Sequence, residues 1–150
     1  MKRLVFREAG IKDLDLVTEL LARLFTCHGQ GELREENRRI LQSQDEIIWL
    51  ASLGDTPVGA AHVAVRHEYV EGAPEGCVSG YLEAIYVLPA YRFKGIARQL
   101  VLQCEGWSKE KGCKVLASDC ELDNLTSERF HKKTGFVEVS RNIHFIKVLD

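Results

Sequence analysis

Hydrophobic and polar positions change period several times along this chain, and each change marks an element. "RLVFREA" reads as a short strand, and Leu14, Leu16, Val17, Leu20, Leu21, Leu24 and Phe25 then fall at mostly helical intervals, predicting an amphipathic helix. "CHGQG" breaks it. "ELREENRRILQSQD" predicts a second, strongly charged helix in which Leu33, Ile40 and Leu41 give only a thin apolar face, so it belongs at the periphery. "EIIWLASL" and "VGAAHVAVRHEYV" are two strands of a hairpin, with Gly54, Asp55 and Pro57 supplying the turn.

The loop "EGAPEGCVSG" precedes "YLEAIYVL", whose aromatic and β-branched residues predict a buried strand closed by Pro89. Ile96, Ala97, Leu100, Val101, Cys104 and Trp107 then form one stripe of a helix that stops at "KEKG" with Gly112. The strand "CKVLASD" follows almost at once, which implies a parallel β-α-β unit. "NLTSERFHKKTG" predicts a short helix ending at Gly135, and "FVEVSRNIHFIKVL" the final strands. The order β-α-α-β-β-β-α-β-α-β is mixed α/β. With no repeats or long linkers, residues 1–150 form one domain.

Composition narrows the partners. A chain of 150 residues, 45% apolar, builds one core. Its 20 basic and 22 acidic side chains leave a formal charge of −2, so nothing favours nucleic acid or an anionic membrane, and a cationic partner is better received. No apolar run reaches membrane length and "MKRLVFREAG" is not a signal peptide, so a cytoplasmic location is expected. Cys27, Cys77, Cys104, Cys113 and Cys120 lack a C-x-x-C pair and read as reduced, mostly packing, thiols; His28, His62, His67, His131 and His144 lack metal-ligand spacing, so no metal is expected.

The stretch "YRFKGIARQL" places cations and a lone glycine where a helix begins. A helix N-terminus presents unpartnered N–H groups and partial positive charge, so a loop packed on it can hold phosphate oxygens. Gly95 lets the backbone come close, Arg92 and Lys94 add mobile charge, and Ala97 keeps the first turn small. These residues read as a diphosphate site or as an ordinary solvated turn, since R-x-x-G-x-A alone is a weak pattern. The phosphate loop G-x-x-x-x-G-K-S/T and the dinucleotide fingerprint G-x-G-x-x-G are both missing, and "GCVSG" is not the hydrolase elbow G-x-S-x-G.

In its context of strand, R-x-x-G-x-A, long helix, parallel strand, "DN" and a short helix ending in "GF", the segment from Gly80 to Phe136 resembles the GNAT superfamily of acetyl-CoA-dependent N-acetyltransferases. Within it, "HEYVEG", "LEAIYVLPAYR", "ASDCELDN" and "HKKTGF" look like the small bacterial aminoglycoside 6′-N-acetyltransferases. The resemblance implies an α/β GNAT fold: a central mixed sheet with antiparallel N-terminal strands, a parallel fourth and fifth strand splayed around acetyl-CoA, and flanking helices. It implies acetyl-CoA as co-substrate, with Arg92, Phe93, Lys94, Gly95, Ile96 and Ala97 around its pyrophosphate. Ile85, Tyr86 and Val87 would pair through their backbone with the pantetheine arm, and Asn124 would bond that arm from the other side. It also implies a homodimer, with C-terminal strands pairing between chains.

Two segments free of Lys and Arg flank the cofactor motif. One, between His67 and Tyr91, holds Glu68, Glu71, Glu75 and Glu83; the other, between Val115 and Glu128, holds Asp119, Glu121 and Asp123 and ends at Glu128 itself. Carboxylate-lined walls select a polycation, although acidic loops are commonly just solvated surface. Glu83 and Asp119 stand apart because each lies in or at the end of an apolar strand, where an unpartnered carboxylate is costly. Glu83 is the first candidate to take the ammonium proton, directly or through water, with Asp119 orienting the amine or sharing that role. His131 stands five residues before Phe136, where many members of the superfamily carry a tyrosine that protonates the thiolate; imidazole can take over that role or simply pack. Tyr69 and Phe25 match positions where the aminoglycoside enzymes set rings against substrate, while Phe25 also reads as the last residue of a core stripe. Near Ser140 relatives carry an acidic residue, for which Glu138 and Glu121 are possible substitutes. The reading is acetyl transfer to a primary amine, an aminoglycoside 6′-amine first. The alternatives are a GNAT enzyme for a polyamine, a small metabolite or a protein N-terminus, and a non-catalytic acyl-CoA sensor.

Overall fold

Neighbouring apolar residues such as Ile47 and Ile48, Leu50 and Ala51, and Ala60 and Ala61 point to opposite faces of a strand, so a sheet built from them must be covered on both sides. The computed structural model describes residues 2–26 and 29–150. Met1, Cys27 and His28, the last two read above as a packing thiol and a scattered histidine, lie outside the described residues. The elements are β1 (Leu4–Glu8), α1 (Leu14–Ala22), α2 (Gln30–Leu41), β2 (Glu46–Leu53), β3 (Thr56–Arg66), β4 (Ser79–Val87), α3 (Ile96–Glu110), β5 (Leu116–Ala117) and α4 (Leu125–Lys133). One sheet runs β1-β2-β3-β4-β5, antiparallel except for the parallel β4 and β5. The hairpin, the helical stripes and the parallel β-α-β unit follow the sequence pattern.

On one face, Ile96, Leu100, Val101, Cys104 and Trp107 of α3 meet Ala51, Val58, Ala61 and Val63; on the other, Val17, Leu20 and Leu21 of α1 with Ile40 of α2 meet Ile48, Leu50, Ala60 and Ala84. Cys104 is fully buried, which pushes its thiol up to about 12 and keeps it inert. α3 ends as "KEKG" predicts. Gly112, at φ 84°, donates to Lys109 C=O and Cys113 N–H reaches back to Ser108 C=O, closing a Schellman motif.

The C-terminal strands do not form. Residues 137–150 carry no regular structure, and Val137, Ile143, Phe145, Ile146, Val148 and Leu149 stand exposed. β5 is also two residues long where "CKVLASD" predicts more. The causes differ: β5 is paired with β4 only at Leu116 and Ala117 before the two strands part, whereas residues 137–150 pair with no strand among the described residues.

Before α1, Asp13 closes the turn Ile11–Asp13. Its carboxylate accepts Gly10 N–H at 2.8 Å and hydrogen bonds from Arg7 Nη1 and Nη2, each at 2.8 Å, while the residue is only 7% exposed. The Arg7 hydrogen bonds above all hold its carboxyl at about 2, below the ordinary 3.8. A carboxyl depressed in this way stabilises the fold above its unfolded value and loses that contribution as pH falls through its folded one, here worth about 2 kcal/mol. Asp13→Asn should therefore cost about 2 kcal/mol at pH 7, and the difference should vanish near pH 2; urea unfolding across that range measures it.

Candidate active site

β4 pairs with β3 along its length but with β5 only at Gly80 and Tyr81, opposite Leu116 and Ala117. Beyond that point the parallel strands part. Along β3 and β4 the register shifts between His62, opposite Ala84, and Val63, opposite Leu82, so Glu83 is the extra residue of a β-bulge. The bulge decides which backbone groups face the gap. Before it, Gly80 N–H donates to Val115 C=O, so even-numbered residues face β5. After it, Leu88 N–H donates to Val58 C=O, so even-numbered residues face β3 and the odd-numbered Ile85 and Val87 face the open side. Tyr86 therefore turns its backbone to β3 and its side chain to the α1/α2 core. Val87 C=O accepts Arg92 Nε at 2.8 Å. An open strand edge remains, offering Ile85 N–H, Ile85 C=O and Val87 N–H to an extended ligand.

At the foot of this gap four side chains form a chain. Arg66 donates from Nε and Nη2 to Glu83 Oε1 at 3.0 and 2.9 Å, and from Nη2 to Oε2 at 3.0 Å. Its guanidinium carbon lies 3.4 Å from the Tyr81 ring centroid, and the Tyr81 hydroxyl donates a short hydrogen bond to Asp119 Oδ2. Burial, reinforced by Asp119, pushes the Tyr81 phenol well above its usual range, so it stays a donor. Glu83 is thus not the unpartnered carboxylate its strand position suggested. Of its roughly four acceptor positions three are taken by Arg66, leaving Oε2 with one. Arg66 was missed because it stands one residue before the base-free segment, and Tyr81 because nothing in the sequence sets its hydroxyl apart; its placement two residues before Glu83 on one strand was the available signal.

His131 lies at the apex of the gap. α4 starts with Asn124, whose Oδ1 accepts Ser127 N–H at 3.1 Å, leaving Nδ2 for other partners. It ends with Gly135 at φ 97°, and Phe136 N–H donates to His131 C=O at 2.9 Å. This Schellman closure brings the Phe136 ring edge-on to the imidazole at 5.1 Å between centroids, which explains in packing terms why a histidine five residues before the phenylalanine of "GF" is held in place. His131 Nδ1 lies 2.7 Å from Ser127 C=O and Nε2 lies 2.7 Å from Ser118 Oγ.

The turn leading into α3 is strained. Phe93 has φ 63° and is fully exposed, and Gly95 follows at φ 80° with nothing within 4 Å of a Cβ built on it. A bulky residue in the left-handed region costs about 1–3 kcal/mol and persists only where the surroundings impose it. The first-turn N–H groups of Ile96, Ala97 and Arg98 precede the first helical bond, from Gln99 N–H to Gly95 C=O. Lys94 Nζ lies 5.7 Å from the Tyr91 ring centroid, and Arg92 spans back to β4. Tyr69 is largely exposed in the loop after β3, whereas Phe25, like Tyr86, packs against the α1/α2 core. Ser140 donates to Glu71 at 2.9 Å, and Glu138 and Glu128 are paired with Arg141.

The sequence model of the acetyltransferase (GNAT) family matches residues 14–136, and the chain belongs to that family. It is 40% identical over 126 residues to the aminoglycoside N(6′)-acetyltransferase type 1 of Acinetobacter genomosp. 13, covering 83% of this chain and 84% of the relative. Against the protein of the same name from Acinetobacter haemolyticus it is 35% identical over 143 residues, 95% of each. The solved complex of aminoglycoside N-acetyltransferase AAC(6′)-Iy with CoA superposes with a TM-score of 0.93 at 29% identity, over 98% of this chain and 96% of that one.

Proposed function

We propose that this protein moves the acetyl group of acetyl-CoA to the 6′-amine of an aminoglycoside in a ternary complex. The observation that carries the reading is the open edge of β4 at Ile85 and Val87, bounded on one side by the left-handed turn at Phe93 and Gly95 and on the other by the carboxylates of Glu83 and Asp119. The names of the relatives supply the acceptor. The pantetheine arm would lie as an added strand, with its pyrophosphate on the first-turn amides of α3 and Asn124 across the gap. Ile85 N–H is the donor placed for the thioester oxygen as it gains charge. Asp119 and the remaining Oε2 position of Glu83 would hold the ammonium and pass its proton to water, freeing the amine to attack. Tyr69 would offer a ring to the sugar, with Phe25 supporting from the core.

Thiol release from acetyl-CoA across an amine panel tests this. Aminoglycosides with a 6′-amine should be acetylated there, those with a 6′-hydroxyl should not, and a preference for polyamines or peptides would overturn it. Gly95→Glu should raise KM for acetyl-CoA about tenfold by setting a carboxylate beside the phosphates, with kcat changed less than about twofold. Unaltered cofactor kinetics would remove the pyrophosphate assignment.

We further propose a homodimer in the cytoplasm, where acetyl-CoA is made. The arm from 137 onward leaves its root fixed, with Val139 about 3.0 Å from a Cβ built at Gly72 and Ser140 on Glu71, yet exposes seven large apolar side chains. Each is worth about 1.5 kcal/mol or more on burial. The outer edge of β5 on a second copy fits such a strand. Deleting residues 143–150 should turn a dimer into a monomer in sedimentation; a monomeric full-length chain would refute the arrangement.

A further inference from the structure

We propose that the Ser118 hydroxyl, backed by His131, is the group that hands the proton to the departing coenzyme A thiolate. The inference rests on the acetyl-transfer reading above and names a residue that the family likeness did not single out.

Ser118 follows Ala117, the last paired residue of β5, and its Oγ lies 3.4 Å from Leu82 C=O, the last β4 residue before the bulge. That places the hydroxyl where the two strands begin to part. His131 stands behind it. A carbonyl oxygen can only accept, so the 2.7 Å contact between His131 Nδ1 and Ser127 C=O puts a hydrogen on Nδ1. The exchangeable position is then Nε2, which faces Ser118 Oγ at 2.7 Å. Phe130 and Phe136 meet the ring edge-on, with centroids 5.7 and 5.1 Å away. Both nitrogens of His131 are therefore engaged, and the route from the imidazole to the gap runs through the serine.

When the imidazole carries both hydrogens, Nε2–H donates to Ser118 Oγ and the serine's own hydrogen is left to Leu82 C=O. At 3.4 Å that contact is longer than an effective O–H to O bond, so the hydrogen is available to a stronger acceptor entering the gap. A thiolate is such an acceptor. As the C–S bond of the tetrahedral adduct breaks, sulfur keeps the electron pair and takes the Ser118 proton, while Nε2–H moves to Ser118 Oγ. The products are the free thiol, a restored hydroxyl and a neutral imidazole, which regains its proton from water. The surplus proton of the attacking amine leaves separately, by the carboxylate side.

Ser118→Ala and Ser118→Thr test the relay. Ser118→Ala should lower kcat by about a hundredfold, the scale of a lost general acid, while the CoA dissociation constant measured by calorimetry moves less than about twofold. Ser118→Thr, which keeps a hydroxyl, should recover most of the loss. In mixtures of light and heavy water the wild-type rate should bow downward, as two protons in flight require, and that of Ser118→Ala should be linear. Independently of turnover, the Nε2 resonance of His131 should shift in Ser118→Ala while Nδ1 stays protonated. Wild-type kcat in Ser118→Ala overturns the proposal with acetyl transfer intact. So does an equal loss of kcat and CoA affinity in both variants, which marks a structural tie between β5 and α4. Wild-type protein that releases no thiol with any aminoglycoside overturns the transfer reading itself, and the relay with it.

Discussion

Replacing Glu83 by Gln and Asp119 by Asn together should lower kcat/KM for an aminoglycoside about a thousandfold, with CoA affinity within about twofold of wild type. The two carboxylates contribute differently. Glu83 is matched by the Arg66 guanidinium, so the pair is close to neutral as seen by an approaching polycation. Glu83→Gln removes the negative half and leaves Arg66 bare over the Tyr81 ring, a cation facing a cationic substrate. That single change should act largely through KM. Among the described residues Asp119 has only the neutral Tyr81 hydroxyl for a partner, so no cation matches its carboxylate, and Asp119→Asn should lower kcat as well. Steady-state thiol release for the two single variants and the double one separates these effects. Unchanged kcat/KM in the double variant removes both residues from the site.

That asymmetry was not legible in the sequence, and the reason is specific. Periodicity and base-free segments found Glu83 and Asp119, because a carboxylate in an apolar run is visible along the chain. Their partners are set by pairing across the sheet. Arg66 reaches Glu83 from the neighbouring strand, and Tyr81 reaches Asp119 across the β4–β5 gap. The bulge was equally hidden. Nothing in "YLEAIYV" announces that Glu83 is the extra residue, yet that one insertion turns Ile85 and Val87, rather than Tyr86, toward the open edge. The elements themselves read well, since Gly112 and Gly135 mark helix ends by a local conformation that needs no tertiary information. The C-terminal arm failed for the opposite reason: its alternation is that of a strand, but a strand is completed by an edge, and among the described residues the arm pairs with none.

Gly80→Val should destabilise the protein by about 3 kcal/mol and remove acetyl-CoA binding with it, an effect that conservative chemistry at the site would not have. Gly80 is where α3 rests on β4. A Cβ built there collides with Ser108 Oγ, meets Ser108 Cβ at 2.8 Å and lies 3.3 Å from Leu116 Cδ1. Ser108 is itself 3% exposed, and its Cβ, which no side-chain rotation moves, is in the way as well as its Oγ, so the helix must lift or β5 must peel from β4. Either movement opens the gap at its base, because Gly80 and Tyr81 are the two residues that hold β5. Gly106→Ala is the control. It lies on the same helix, exposed and with nothing within 4 Å of the added carbon, so the gain in helix propensity should stabilise by about 1 kcal/mol. Urea midpoints moving in opposite directions for the two variants would confirm that close approach at Gly80, rather than glycine content, sets the stability of the cofactor gap. If Gly80→Val unfolds at the wild-type midpoint, α3 does not bear on β4 at this point, and the base of the gap is held in some other way.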